Sequence, residues 1–234
     1  MGIILKSITK SYGGVNVFEN FNADFEFGKI SCVLGESGSG KTTLLNIIGG
    51  VCPYGGSVEN AGRVSYIFQT DRLIENLTAQ KNLEYVLKSG EKDKEAMRRK
   101  AEDMLRKVEL FHKKDAYPGQ LSGGMRQRLS MARAFVYPSD TLLMDEPFRS
   151  LDLPLKSRII REFLKLWYGD RRNVIFVTHD IDEALILSDD IYVIKGSPAR
   201  VISGYKINVP QNERDITRKY FTDIRGAIYG DMLK

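Results

Sequence analysis

The run Ile30 to Leu34, passing directly into Gly35-Glu36-Ser37-Gly38-Ser39-Gly40-Lys41-Thr42-Thr43, constrains this chain more than any other stretch of it. An apolar run of that length reads as a buried strand, and the pattern that resumes at Thr43-Leu44-Leu45 reads as a helix. Between them Gly35, Gly38 and Gly40 permit backbone conformations that a side chain forbids, so successive N–H groups can turn toward one anion. The positive end of the following helix faces the same anion. Lys41 would place a point charge on outer phosphates, and the Thr42 hydroxyl is positioned to hold Mg²⁺ beside them.

Other strand ends carry chemistry that fits such a cradle. Thr141 to Met144 is an apolar strand that ends in two acids, Asp145 and Glu146, and the carboxyl edge of a sheet is where the cradle also lies. Asp145 would sit in the Mg²⁺ shell, while Glu146 would orient or deprotonate a water for attack on a terminal phosphate. Gln69 ends the strand Val64 to Phe68 and can sense the same metal and water through its amide. His179 ends the run Val174 to Thr178, ahead of a helix opened by Asp180, Asp182 and Glu183, and can reach the terminal phosphate or its water. Tyr12, in an exposed Ser-Tyr-Gly-Gly turn, offers an aromatic face to a purine.

A chain of 234 residues with 42% hydrophobic content suits one large domain, with room for a small subdomain. The order of elements is a strand-rich start, the cradle, a helical block from about Thr78 to Val136, then two buried strands with a helix, Leu155 to Leu166, between them. That alternation predicts an α/β core with an inserted helical subdomain. The net charge of +5 does not point to nucleic acid. Its richest charged segment, 90–114, mixes acids with bases, and Met97, Ala101, Met104, Leu105 and Val108 recur at helical spacing. A solvated amphipathic helix is expected there; the excess charge equally suits an anionic membrane face. Lysines interrupt the apolar residues of the start, so no signal peptide or anchor is expected, and no later run reaches spanning length. Cys32 and Cys52 suit reduced thiols.

A second glycine turn, Leu121-Ser122-Gly123-Gly124-Met125-Arg126-Gln127-Arg128, opens another helix and has no lysine of its own. Ser122, Gly123 and Gly124 make a helix start that can bind an anion. A symmetric head-to-tail pair of chains would set this turn over the nucleotide of the other copy. Swinging such a pair from mostly open to mostly closed takes about 5.5 kcal/mol. Charge-assisted hydrogen bonds contribute about 1.5–3 kcal/mol each, so two or three per site suffice.

With these elements in order, the chain resembles over nearly its whole length the ATP-binding subunits of ABC transporters. The resemblance matches Tyr12 to the adenine-stacking aromatic, Gly35 to Thr43 to the Walker A loop and Gln69 to the Q-loop glutamine. It matches Leu121 to Met125 to the signature, Thr141 to Glu146 to the Walker B strand with its catalytic glutamate, Ser150-Leu151-Asp152 to the D-loop and His179 to the switch histidine. It implies a P-loop core with an N-terminal antiparallel β-subdomain and a helical subdomain at about 70–138, all in one ATPase domain, 1–234, with a C-terminal extension from about 204. It also implies ATP and Mg²⁺ as ligands, Lys41 among the catalytic residues, and an ATP-dependent dimer. A separate membrane permease would be driven through a groove near Gln69 that Leu73, Ile74 and Leu77 could line or could leave for the core. The chain would then sit on the cytoplasmic face of the membrane.

Met125-Arg126-Gln127-Arg128 and the stretch 178–194 are similar to the subunits of nitrate, sulfonate and taurine importers, as are Gly196 to Ile202 and the C-terminal 217–229. Such systems add an extracytoplasmic substrate-binding protein. Two features depart from the family pattern: a short span from Lys41 to Gln69, implying a trimmed β-subdomain, and Arg149 where a small residue is commoner. DNA-repair relatives separate cradle and signature with long coiled coils, for which Thr43 to Leu121 is too short, and translation-factor relatives carry two cassettes. The alternatives are an ATPase subunit of an ABC system with a different substrate and a stand-alone regulator without a permease. At the C-terminus Ile216, Tyr220, Ile224 and Ile228 predict one helical face packed on the chain's own domain.

Overall fold

The computed structural model describes residues 1–149 and 151–233. Two strands, β1 (Ile3–Tyr12) and β2 (Val15–Phe25), pair antiparallel across Gly13 and Gly14, whose φ angles of 55° and 85° make the tight reversal. Tyr12 is therefore the last residue of β1, and the turn begins after it. Next come β3 (Ile30–Leu34), α1 (Lys41–Ile48), β4 (Gly55–Glu59) and β5 (Val64–Ile67). Strand β4 adds to β1 to complete a three-stranded sheet, so the short span from Lys41 to Gln69 still closes it.

Three helices follow, α2 (Ala79–Leu87), α3 (Lys94–Lys107) and α4 (Gly123–Val136). The chain continues through β6 (Thr141–Asp145), α5 (Leu153–Tyr168), β7 (Asn173–Thr178), α6 (Ile181–Leu187), β8 (Asp190–Gly196), β9 (Ala199–Lys206) and α7 (Lys219–Leu233). The second sheet has the order β5-β6-β7-β3-β8-β9. Its first five strands run parallel, and β9 returns antiparallel along β8. All five residues of β3 and all six of β7 are buried, as strands covered on both faces must be.

Alternate residues of these strands feed two cores. Ile30, Cys32, Leu34, Met144 and Phe176 pack with α4, α5, α6 and α7. Val33, Leu143, Ile175 and Val177 point the other way, onto Leu44, Leu45, Ile47 and Ile48 of α1 and onto Phe18 and Phe21 of the small sheet. A third apolar set belongs to the helices between β5 and β6: Leu83 and Leu87 of α2, Met97, Ala101 and Leu105 of α3, and Leu129 and Ala132 of α4. The charged segment thus forms its expected amphipathic helix, with Glu102 paired to Arg98 and Arg106 on the outer side. Cys32 is buried, Cys52 is partly exposed, and both are free thiols.

The C-terminal helix corrects one expectation. Phe221 and Ile228 are buried, with Ile224 and Met232 packed beside them, whereas Tyr220 is 43% exposed and Ile216 precedes the helix. The helix starts at Lys219, and that phase turns position 221 inward in place of 220. The segment 204–234 also begins inside β9, where Gly204 pairs with Tyr192.

Two buried arginines close helix ends. Arg172 donates to the carbonyls of Ala134, Phe135 and Tyr137 at the end of α4, and Arg214 to those of Leu185, Ile186 and Ser188 at the end of α6. Burial pulls the Arg214 guanidinium down to about 10. Replacing Arg172 by Leu leaves its acceptors unpaired beside the core. It is expected to lower stability by about 3 kcal/mol, read as a reduced urea midpoint at unchanged slope.

Candidate functional site

The parallel register brings the chemical strand ends to one edge of the large sheet. Leu34, at the end of β3, lies opposite Thr178 of β7, and Val177 lies opposite Asp145 of β6. The loop after Leu34, the acids after Met144, Gln69 after β5 and His179 after β7 therefore share one rim.

Within the loop, Gly38 and Gly40 have φ angles of 85° and 90°. Gly35 is required for space instead: a Cβ there would lie 2.7 Å from the Ile194 carbonyl oxygen and 2.8 Å from Ser39 Oγ. The Ser39 amide donates to the Glu36 carbonyl and closes the loop. Helices α2 to α6 are each capped by their own side chain, from Thr78, Asp93, Ser122, Asp152 and Asp180. Helix α1, preceded by Gly40, has no side-chain cap. Its N-terminal donors are left for an external acceptor.

Lys41 is buried, and its ammonium donates to the carbonyls of Gly35 and Glu36 at 2.8 and 2.7 Å. Burial holds it below the ordinary lysine range, against the pull of Glu146 and Asp145. The Thr42 hydroxyl donates to Asp145 Oδ1 at 3.1 Å, joining the cradle to β6. Burial raises the Asp145 carboxyl above its usual range, partly offset by that hydrogen bond. A cavity of about 290 Å³ is lined by Ser37, Gly38, Gly40, Lys41, Thr42, Thr43, Gln69, Asp145 and Glu146, together with Val17 and Arg149. That size is at the lower end for small-molecule sites and suits the phosphate end of a nucleotide.

Larger hollows lie away from this chemistry. One of about 830 Å³ runs between α2 and α3 and is lined by Ile74, Leu77, Tyr85 and Met97. Another of about 710 Å³ separates β5 from the helices, with Tyr66, Phe68, Tyr137 and Arg133 on its walls. Size is the weaker guide here, because the small cavity holds the charges and the open helix end. Of the residues expected near a groove, Ile74 and Leu77 line the larger hollow, and Leu73 is 7% exposed within the helical core.

Glu146 has a φ of 43°, in the left-handed region, and its amide donates to the Val177 carbonyl at 3.0 Å. A residue held there costs about 1–3 kcal/mol, a strain the surrounding pairing must hold in place. His179 Nδ1 lies 3.3 Å from Glu146 Oε1, so the histidine engages the acid from outside the cavity. Its neighbours are braced: Thr178 donates to Glu183 at 2.7 Å, and Lys156 of α5 pairs with both Asp180 and Glu183. Leu151 and Asp152 lead into α5, and Ser150 lies outside the described residues.

The remaining expected residues lie outside the cavity lining, with Tyr12 at its edge beside Thr43. Tyr12 is 49% exposed, its hydroxyl in contact with Thr43 and Cys52 and one ring face under the Lys10 ammonium at 4.5 Å. Ser122 caps α4 through Met125 N at 3.4 Å. Around Gly123 a Cβ would find open space, whereas at Gly124 it would lie 2.9 Å from Leu155 Cδ1, so Gly124 also allows α4 to approach α5. None of these four residues lines the cavity.

The polar residues after the signature have jobs that spacing did not reveal. Arg126 pairs with Asp71 and Glu75, and Arg133 donates to the carbonyls of Asp71 and Arg72, tying α4 to the segment after Gln69. Gln127 donates to the Pro147 carbonyl at 2.7 Å and ties the same helix to the segment after Glu146. The run Met125 to Arg128 was the signal for the ties of Arg126 and Gln127, although nothing in it names the partners, and Arg133 lies beyond it.

An open helix end, a buried lysine and a strand-end acid beside a hydroxyl define a P-loop nucleotide-binding protein. The model of the ABC transporter family matches residues 18–149; the chain belongs to that family and is an ATPase. Among curated relatives, the chain is 36% identical over 211 residues to the bicarbonate transport ATP-binding protein CmpD of Synechocystis sp., covering 84% of this chain and 75% of that one. It is 37% identical over 206 residues to the taurine import ATP-binding protein TauB of Escherichia coli O157:H7, covering 84% and 81%. Among solved structures, a dimer of the ATP-binding cassette MJ0796 bound to ADP and Pi superposes with a TM-score of 0.76 at 30% identity, over 89% of this chain and 100% of that one.

Gly40→Ala would place a Cβ 2.7 Å from Val17 Cγ1 at a left-handed φ. It is expected to lower stability by about 1–2 kcal/mol and to weaken binding of a fluorescent ATP analogue about tenfold. Gly50→Ala, left-handed at 66° with no neighbour within 4 Å, should lose similar stability and keep nucleotide affinity.

Proposed function

We propose that this chain is the nucleotide-binding subunit of an importer, a dimer that closes on ATP and drives a separate membrane permease. The observation that carries the reading is the division of parts. Lys41, Thr42, Asp145 and Glu146 meet at the open end of α1, while Ser122 and Gly123 present a second helix end outside that cavity. One copy offers half of each site, and two copies related head to tail would complete both.

In this reading the amides of Glu36 to Thr43 and the Lys41 ammonium bind the phosphates, and Tyr12 lies against the base. Mg²⁺ fits the donor set of Thr42 and Asp145: two oxygen ligands 3.1 Å apart, one a buried acid whose charge a cation would compensate, with the Gln69 amide on the same cavity. Bound there, it would neutralise charge on the phosphate oxygens. Glu146 accepts the proton of the attacking water, and His179 orients Glu146 through the contact at 3.3 Å.

The names of the similar proteins, a taurine importer subunit and a bicarbonate transport subunit, support a small anion as cargo, recognised by an extracytoplasmic binding protein. The hollow lined by Ile74 and Leu77 is the permease-facing groove of this reading. Among the described residues no helix is long and apolar enough to cross a membrane; this reading assigns the permease to another chain. The reading also places the chain peripherally at the cytoplasmic face of the membrane.

Glu146→Gln should keep ATP binding, reduce turnover by at least about a hundredfold and trap an ATP-dependent dimer in sedimentation. Hydrolysis at the parental rate would remove Glu146 from the role of base. Ser122→Arg should leave nucleotide binding to the monomer intact and abolish the ATP-dependent dimer, at a cost of about 1 kcal/mol for the lost helix cap.

A further inference from the structure

Arg149 stands where the family favours a small residue, and the structure gives its side chain a partner. Arg149 Nη1 lies 2.9 Å from Glu146 Oε2. The turn between them is closed by the Arg149 amide donating to the Glu146 carbonyl, which keeps the guanidinium beside the acid. The other oxygen of Glu146 faces His179 Nδ1 at 3.3 Å. Both carboxylate oxygens are thus engaged, and the Glu146 side chain is only 12% exposed. Arg149 also lines the same cavity as Lys41 and Thr42, and its charge adds to the influences that lower the Lys41 ammonium.

We propose that Arg149 is a positioning residue that restrains Glu146 and so acts as a built-in brake on ATP hydrolysis. The inference rests on Glu146 being the base. In hydrolysis a water oxygen bonds to the terminal phosphorus as the bond to the ADP oxygen breaks, and the water proton passes to Glu146. The carboxylate oxygen held by the guanidinium at 2.9 Å is blocked from the water, and the contact must open before that transfer. Arg149 is half exposed, so the pair is weak enough to open in each turnover and strong enough to slow it.

The test is steady-state ATPase kinetics of the full chain and its variants. Arg149→Ala should raise kcat about fivefold, the factor that corresponds to about 1 kcal/mol, with KM unchanged. Arg149→Lys should retain the parental kcat, because a cation still reaches the acid. Arg149→Ala combined with Glu146→Gln should be no faster than Glu146→Gln alone. An unchanged or lowered kcat in Arg149→Ala, with Glu146→Gln inactive, overturns the brake and leaves the base in place. The same rise in kcat with Lys as with Ala also overturns it. Turnover by Glu146→Gln at the parental rate overturns the base and the brake together.

Discussion

Parallel pairing of β3 with β7 is the constraint on which the rest of this molecule depends. It sets Leu34 opposite Thr178, and β7 in turn sets Val177 opposite Asp145, so the cradle, the acids and His179 emerge at one rim. Because these strands are buried on both faces, a slip in register would exchange the residues that feed the two cores and misfit both. The chemistry is therefore locked to the core. Lys41, Thr42 and Asp145 can meet in a small cavity only because two apolar layers hold their strands in place.

The helices between β5 and β6 have an apolar core of their own, yet their strongest polar ties run to the rim. Arg126 and Arg133 hold the segment after Gln69, and Gln127 holds the segment after Glu146. One helix, α4, thus touches both flanks of the cavity and carries Ser122 at its start. A shift of α4 would be felt at Gln69 and at Pro147 together. Lys156 performs a comparable service for His179, linking α5 to the acids that flank the histidine. Charge pairs of this kind fix orientation more than they add stability.

Much of this was legible in the residues. The strand, loop and helix around Gly35 to Thr43 could be read because glycine spacing, an apolar run and a lysine each carry a separate physical requirement. The buried face of α3 was equally plain from its period. The hairpin of β8 and β9 was not, since β9 exposes Val201 and Ile202 beside Arg200, which breaks a clean alternation, and its sheet neighbour β3 lies far away in sequence. Tyr220 was misread as buried because helical phase depends on where the helix starts, and Lys219 carries no strong cap signal. The two buried arginines, Arg172 and Arg214, look like surface charges in a sequence. Only the arrival of helix ends from elsewhere in the chain gives them acceptors.

Local order along the chain set a glycine-rich strand-to-helix turn with its lysine, and acids and a histidine at other strand ends, because those features depend on sequence neighbours. What only the tertiary structure decided is which of them meet. Arg149 was a departure from a pattern until the fold set it 2.9 Å from Glu146, with His179 on the opposite oxygen. Gly124 was a signature glycine until Leu155 was found against it. The physical reason is the same for both: local spacing prescribes backbone shape, whereas distances of a few ångströms between separate elements are set by packing that brings distant segments together.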